Sequence, residues 1–417
     1  MVGAGRIGVA LLVLVLGAGV GQGTATAQAP VPGASGTWTG SWEAAPSGTT
    51  TAYPGASFRN VVHLSVGGDA VRVRLTNRLG TTHLRLDTVT VALRGTGPDA
   101  VPGSMRTATF NGAGTVTIPA GADLVTDAVP LAVSDAADLL VTVHTPDDSG
   151  PATYHRAAGQ TNYRTPSGNW AADSDGAAYT TTTTSWYYVT GVDVLDVPAA
   201  GSVVAFGDSL TDGNGSSRDA NHRWPDRLAE RLRALPPYRR LGVLNAGISG
   251  NRLLRDDTGP SALARLDADA LSRSGVRVLI VMEGINDIKG TPNATDPAAF
   301  ESAYRSLGTR ARAHGIRVIG ATLTPYGGNG GYTAAREGVR KAVNAFIRAG
   351  TGGPFDAVVD FDAAVRDPEQ PQRIRPAYDS GDHLHFDDAG MRALADTVDL
   401  TTLAPLTPLT PLTPWTP

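Results

Sequence analysis

The chain has 417 residues, enough for two domains that each bury a core, so its size does not demand oligomerisation and a monomer is expected. Its charge is nearly balanced, with 35 Lys+Arg against 39 Asp+Glu and a formal net charge of -4, which excludes a global field able to hold nucleic acid or an anionic membrane. The absence of cysteine removes thiol nucleophiles, thiolate metal sites and disulfides together.

Residues 1–27 read as an export signal. Arg6 precedes an apolar run from Ile7 to Val20, then small residues and the cleavage pattern Ala25-Thr26-Ala27. Gly3, Gly5 and Gly8 spell a G-x-G-x-x-G, but no strand precedes it and no amphipathic helix follows, so a dinucleotide fingerprint is not supported. The apolar run is too short for a stable membrane span, and a soluble, extracellular protein is expected. A linker over 28–35 follows.

From 36 to 197 the chain shows short alternating segments punctuated by Gly, Pro, Asn and Asp. "FRNVVHLSVGGDAVRVRLTNRLG" reads as two period-2 runs joined in a hairpin at Gly67-Gly68-Asp69. "LRLDTVTVALR", "ADLLVTVHTP" and "TTTTTSWYYVTGVDVLDV" continue the pattern with Thr, Val and aromatic residues at strand positions. Many short strands without a convincing helix predict an antiparallel β-sandwich.

The texture changes over 198–402. "SVVAFGDS", "YRRLGVLNAGIS", "VRVLIVMEGIND", "IRVIGATLTP" and "FDAVVDFD" are apolar strand candidates separated by amphipathic stretches such as "RWPDRLAERLRAL". That alternation predicts an α/β domain, a doubly wound parallel sheet covered on both faces. In such sheets ligands bind just beyond the carboxyl ends of the strands. The Leu-Thr-Pro repeat of 403–417 can neither continue a helix nor join a sheet and reads as an extended appendage.

The strand ends carry the candidate chemistry. Ser209, in "FGDSLTDG", follows the first strand, where a hydroxyl would stand at the sheet's rim. Alone it would be an N-cap or turn serine, and the G-x-S-x-G elbow is absent. Gly247 ends the second strand, where a bare backbone could approach a reacting carbonyl, and Asn286 follows the third, where its amide could donate to an oxyanion. After the last strand comes "SGDHLHFDDAG". Asp382 and His385 are three residues apart, so the carboxylate can hold the imidazole while the other ring nitrogen faces Ser209. His383 projects elsewhere, and Asp387 or Asp388 caps the helix beginning near Ala389. A metal reading of His383-x-His385-x-Asp387 falls one histidine short of the His-x-His-x-Asp-His pattern, and the other histidines lack ligand spacing. His222 and His314 read as surface-loop and helix-end residues.

These blocks in this order resemble the GDSL, or SGNH, hydrolases: Gly-Asp-Ser209-Leu, Gly247 in Asn-Ala-Gly, Gly284-x-Asn286-Asp287, and Asp382-x-x-His385. The resemblance covers about 200 residues and implies a flavodoxin-like sheet. It also implies Ser209 as nucleophile, His385 as base, Asp382 as its orienting acid, and an oxyanion hole from the Ser209 and Gly247 amides and the Asn286 side chain. No metal and no organic cofactor is implied. The layout, with a sandwich beginning "TWTGSWEAAP" ahead of the hydrolase unit, is similar to secreted bacterial members of the acetylxylan-esterase-like group. One departure is Phe386 where the family often has proline after the histidine, which predicts a looser loop.

The expected function is hydrolysis of carboxylic esters, with short acyl groups on a small-molecule or polysaccharide carrier favoured by the polar, Gly-rich segments "TDGNGSSRDANHRW", "SGNRLLRDDTG" and "PYGGNGGYT". A lipase or phospholipase is the alternative if Leu253, Leu254 and Leu263 line an acyl channel. A non-catalytic glycan binder is the other, through Trp38, Trp42, Trp170 or Trp186. The spacing argument predicts that His385→Ala nearly abolishes hydrolysis of an activated ester, whereas His383→Ala leaves most of it.

Overall fold

The computed structural model describes residues 36–403 other than Asp196 and Pro198, together with Met1. The segments read as export signal, linker and Leu-Thr-Pro tail lie outside the described residues, apart from their boundary residues Met1 and Leu403.

Residues 36–195 build antiparallel sheets. One has six strands, in the order Thr181–Thr183, Asn162–Arg164, Ala56–His63, Asp138–Thr145, Thr88–Leu93 and Arg106–Thr107. Another has four, in the order Trp38–Glu43, Val189–Leu195, Val71–Thr76 and Asp123–Val125. Val62, Val91 and Val143 from the first pack with Val73 and Val192 from the second in one buried cluster, as the inner faces of a sandwich must. The hairpin expected at Gly67-Gly68-Asp69 does not form. Ala56–His63 and Val71–Thr76 lie in different sheets, so the chain arches from one layer to the other. Gly68 bonds the carbonyl of Val133 instead of closing a two-strand turn, and Gly67 lies so close to the 133–135 backbone that a Cβ would not fit.

Five parallel strands follow: β1 (Ser202–Gly207), β2 (Gly242–Gly247), β3 (Val276–Met282), β4 (Arg317–Ala321) and β5 (Ala357–Val359), in the order β2-β1-β3-β4-β5. This is the flavodoxin-like order of a doubly wound sheet. Because right-handed crossovers send helices to opposite faces when the strand order reverses, Trp224–Arg233 packs with Asp388–Thr397 while Pro297–Ala313 packs with Ala334–Ala349. Burial on both faces explains the continuous apolar strands: Val203, Phe206, Leu244, Ile280 and Val318 are fully or almost fully enclosed. The reversal falls between β1 and β3, and the crevice beyond their carboxyl ends is where such a sheet offers a site.

The described residues from 36 on form one compact unit. The sandwich strand Trp38–Glu43 packs along β2 through two glycines. Gly40 donates to the Ser274 carbonyl at 2.9 Å, and a Cβ on Gly242 would run into the Gly40 carbonyl. Gly242→Ala is therefore expected to lower the stability of sandwich and parallel-sheet regions together, by about 1–3 kcal/mol or more as overpacking does. Urea unfolding followed by far-UV and near-UV signals checks this. A sandwich that unfolds separately at an unshifted midpoint would refute it.

Candidate active site

Ser209 is the first residue of a short helix, α1 (Ser209–Asp212), that begins directly after β1. Asp208 caps it, its carboxylate accepting the Leu210 N–H at 3.0 Å, while its carbonyl takes the N–H groups of Thr211 and Asp212. The Ser209 N–H has no partner among the described residues. The hydroxyl lies 2.9 Å from His385 Nε2. On the other side of the ring, His385 Nδ1 lies 2.5 Å from Asp382 Oδ2. A carboxylate can only accept, so Nδ1 carries the proton and Nε2 is left to accept the serine hydroxyl's. Asp382 Oδ1 also accepts the backbone N–H groups of Leu384 and His385, at 3.0 and 2.8 Å. Burial pushes the Asp382 carboxyl up, but these amides and the His385 ring outweigh it and hold it below the usual carboxylate range.

The loop that carries His385 is well anchored. Phe386 is fully buried, and on either side of it Ser380 N donates to the His385 carbonyl and Asp387 N to the Tyr378 carbonyl. The looser loop expected from the missing proline is thus corrected: hydrophobic burial and a local bridge restrain the chain instead. Asp387 caps helix α2 (Asp388–Thr397) by accepting the Gly390 N–H, and Asp388 takes His222 Nδ1 at 2.6 Å. His383, with a left-handed φ of 63°, turns to a carboxylate of its own, Nδ1 lying 2.6 Å from Asp379. His383 and His385 thus serve different acids, and among the described residues no group of three His, Asp or Glu is placed to hold a metal ion.

The anion-binding side differs from expectation at one residue. Asn286, just past β3, is nearly buried and donates from Nδ2 to the Asn251 carbonyl at 2.8 Å, which leaves its second amide proton unused. Gly247 is not a free donor. It ends β2 in register with Gly207, its N–H bonds Asn245 Oδ1 at 3.0 Å, and its Cα faces the α1 backbone, where a Cβ would collide with Asp212. Its smallness serves this close packing. Three residues on, Gly250 adopts a φ of 88° and its N–H has no partner among the described residues. The flanking groups hold it at the site: Asp212 Oδ2 accepts both the N–H and the hydroxyl of Ser249, and Asn251 receives Asn286. Gly250 therefore replaces Gly247 as the glycine that can offer an amide to an oxyanion. The signal in the sequence was the second glycine in "AGISG", which lies past the strand rather than in it.

Of the candidate acyl-channel and glycan residues, Leu253, Trp42 and Trp186 are buried, while Leu254, Leu263 and Trp38 are partly so. Leu253 is enclosed in the core, and its N–H and that of Leu254 are tied to the Asp287 carboxylate. Trp42 and Trp186 pack edge to face in the sandwich core, Trp38 is half-buried under Arg72, and Trp170 is exposed.

Residues 205–393 match the model described as the GDSL-like Lipase/Acylhydrolase family. No curated protein matches the chain. Among solved structures, the chain is similar to a GDSL-like lipase from Bacteroides thetaiotaomicron at 18% identity, covering 48% of this chain and 87% of that one with a TM-score of 0.37. It is similar to the native aryl esterase of M. smegmatis at 19% identity over 46% of this chain and 94% of that one, TM-score 0.38. The acetyl xylan esterase AlAXEase matches at 21% identity over 47% and 96%, TM-score 0.36.

Beneath the serine, burial pushes the Asp208 carboxyl up to about 7 from 3.8. Between these values the folded chain holds a proton that the unfolded chain has lost, so this contribution favours folding below about pH 3.8 and disappears as pH rises through 7. Asp208→Asn keeps a cap oxygen and removes the titration. The variant's stability relative to wild type is expected to increase between pH 4 and 7 and level off above, as urea midpoints across that range will show. A variant whose stability falls relative to wild type as pH rises from 4 to 7 would contradict it.

Proposed function

We propose that the protein is a carboxylic ester hydrolase acting through Ser209, His385 and Asp382, a reading supported by the match of residues 205–393 to the GDSL-like lipase/acylhydrolase model. We propose further that it is exported, works as a monomer, and removes short acyl groups, acetyl above all, from carbohydrate.

The observation that carries this reading is the unbroken chain from Asp382 through His385 to Ser209, with contacts of 2.5 and 2.9 Å. Ser209 Oγ attacks the ester carbonyl as its proton passes to His385 Nε2, and Asp382 stabilises the imidazolium that forms. The tetrahedral oxyanion is received by the Ser209 and Gly250 N–H groups and Asn286 Nδ2. Collapse releases the alcohol, which takes the proton from Nε2. Water then repeats the sequence on the acyl-serine, and the carboxylic acid leaves with Ser209 restored.

The short-acyl preference rests on the surroundings. Leu253 is committed to the core, Leu254 and Leu263 are partly buried, and the residues bonded to the triad backbone are polar, Asn214 N donating to the Ser209 carbonyl and Asn329 Nδ2 to the Asp382 carbonyl. A long acyl chain would bury little apolar surface there. The carbohydrate carrier and the export route rest on the sandwich-plus-hydrolase layout and on the apolar N-terminal segment of the sequence.

A serine-reactive fluorophosphonate should label the wild type and not Ser209→Ala. Initial rates on p-nitrophenyl esters should fall from acetate through octanoate, with acetate released from acetylated xylan and none of the acyl chains from phosphatidylcholine. Faster turnover of octanoate or of the phospholipid would replace the short-acyl reading with a lipase. A wild type that neither labels nor hydrolyses an activated ester would end the triad reading.

A further inference from the structure

We propose that His155, supplied by the β-sandwich, is a positioning residue for the hydrolase reaction: it holds Asp212, and Asp212 holds the Ser249–Gly250 loop beside the nucleophile. The inference rests on the esterase reading and assigns the sandwich a part in that same site.

His155 ends the strand Thr153–His155, where it pairs with Trp186 and packs against its ring, centroids 5.5 Å apart. It is almost completely enclosed, and both ring nitrogens are used. Nδ1 lies 2.7 Å from the Ala45 carbonyl within the sandwich, and Nε2 lies 3.1 Å from Asp212 Oδ1 in the parallel-sheet region. A carbonyl and a carboxylate both accept, so satisfying both nitrogens requires a proton on each, which makes the pair an imidazolium facing a carboxylate. Burial and the nearby Arg223 pull His155 toward neutrality, but attraction to Asp212 raises it, while Asp212 is held below its usual range despite its own burial.

Asp212 is the last residue of α1, three positions after Ser209. While Oδ1 meets His155, Oδ2 accepts the Ser249 N–H at 2.8 Å and the Ser249 hydroxyl at 2.5 Å. One buried carboxylate thus ties the helix that starts at the nucleophile to the loop that presents the Gly250 amide. A second sandwich residue supports the loop, since Arg156 Nη2 lies 3.4 Å from the Ser249 carbonyl. A carboxylate enclosed in this way needs a compensating cation to stay charged and aimed, and His155 is the group in direct contact. If it is lost, Asp212 turns or takes up a proton, and the loop moves relative to Ser209. Small displacements at an oxyanion site are felt in turnover more than in substrate binding.

Two isosteric substitutions separate this role from simple packing. Asn at 155 places its amide near the Nδ1 position and keeps the Ala45 bond, but falls short of Asp212. Gln reaches the Nε2 position and keeps a donor to Asp212, but gives up Ala45. With p-nitrophenyl acetate, His155→Asn is expected to lose about tenfold or more in kcat with KM little changed, and His155→Gln to stay within about threefold of wild type, the scale of a misplaced donor. Melting temperatures follow each variant. Equal kcat losses in the two variants, or full kcat in folded His155→Asn, overturn the proposal. Should His155→Asn fail to fold, Ser249→Ala removes one of the two loop bonds to Asp212 without touching the sandwich. It must lower kcat, and an unaltered kcat in that folded variant overturns the proposal as well. Wild type that is not labelled at Ser209 brings down the esterase reading and this inference together. An active wild type with an inactive Ser209→Ala and an unimpaired His155→Asn brings down this inference alone.

Discussion

The guanidinium of Arg265 holds together the end of the sheet on which the site is built. It is buried, with its carbon 4.1 Å above the Phe206 ring, and it donates to the carbonyls of Gly207 at 2.9 Å and Ala246 at 2.7 Å, and to Asn251 Oδ1 at 2.9 Å. Gly207 and Ala246 lie at the carboxyl ends of β1 and β2, and the Gly207 carbonyl takes the guanidinium in addition to the Ile248 N–H. One rigid fork therefore fixes the strand that delivers Ser209, the strand beside it, and the loop whose Asn251 carbonyl anchors Asn286. Its charge also has local partners, with Asp269 at 3.4 Å and Glu283 at 3.6 Å. Burial drives Glu283 well above its ordinary range and Asp208 adds to the push, while Arg265 opposes it and, with Lys289, draws Asp208 back down.

The same logic continues across the boundary between the two β regions. Arg273 reaches Glu43 of the sandwich at 2.7 Å, and Arg78 of the sandwich bonds Asp269. Arg78 and Asp269 are a largely buried charge pair, and breaking one partner leaves the other uncompensated. Burial instead pushes the Glu43 carboxyl up to about 8 despite Arg273, so that contact joins a cation to a carboxyl that keeps its proton near neutral pH. Together with the Gly40–Gly242 approach, they explain why the two regions form a single compact unit. A site formed next to that boundary inherits its rigidity. Asp212 and Ser249 lie where the sandwich meets the strand ends, within reach of His155 and Arg156.

Several features were readable from local pattern because their causes are local. Continuous apolar strands separated by amphipathic helices are dictated by burial on both faces, and the five parallel strands occur where those runs lie. The three-residue spacing of Asp382 and His385 is a contact the chain makes with itself. Gly67-Gly68-Asp69 failed for the opposite reason: two alternating runs around a glycine pair describe a hairpin and an arch between layers equally well, and the choice is made by backbone at 133–135, far away in sequence. Gly247 was a similar case. Two glycines in "NAGISG" are equivalent as letters, and only the contact with α1 shows that the first is small for packing and the second bears the unused amide. Phe386 stands where a proline would restrain the loop, and a side chain that restrains by being buried carries no local mark of doing so.

The class of each half, the order of the strand ends that carry polar residues, and the pairing of one histidine with one acid were legible in the residues alone, since these follow from periodicity, composition and short-range reach. The tertiary structure decided which strand ends became neighbours, which glycine kept an unpartnered amide, and that a sandwich histidine touches an aspartate three residues from the nucleophile. Those contacts join residues tens to hundreds of positions apart. They exist because the strand order reverses at β1, where right-handed crossovers send the chain to opposite faces, and because buried charges must find partners wherever the packing places them.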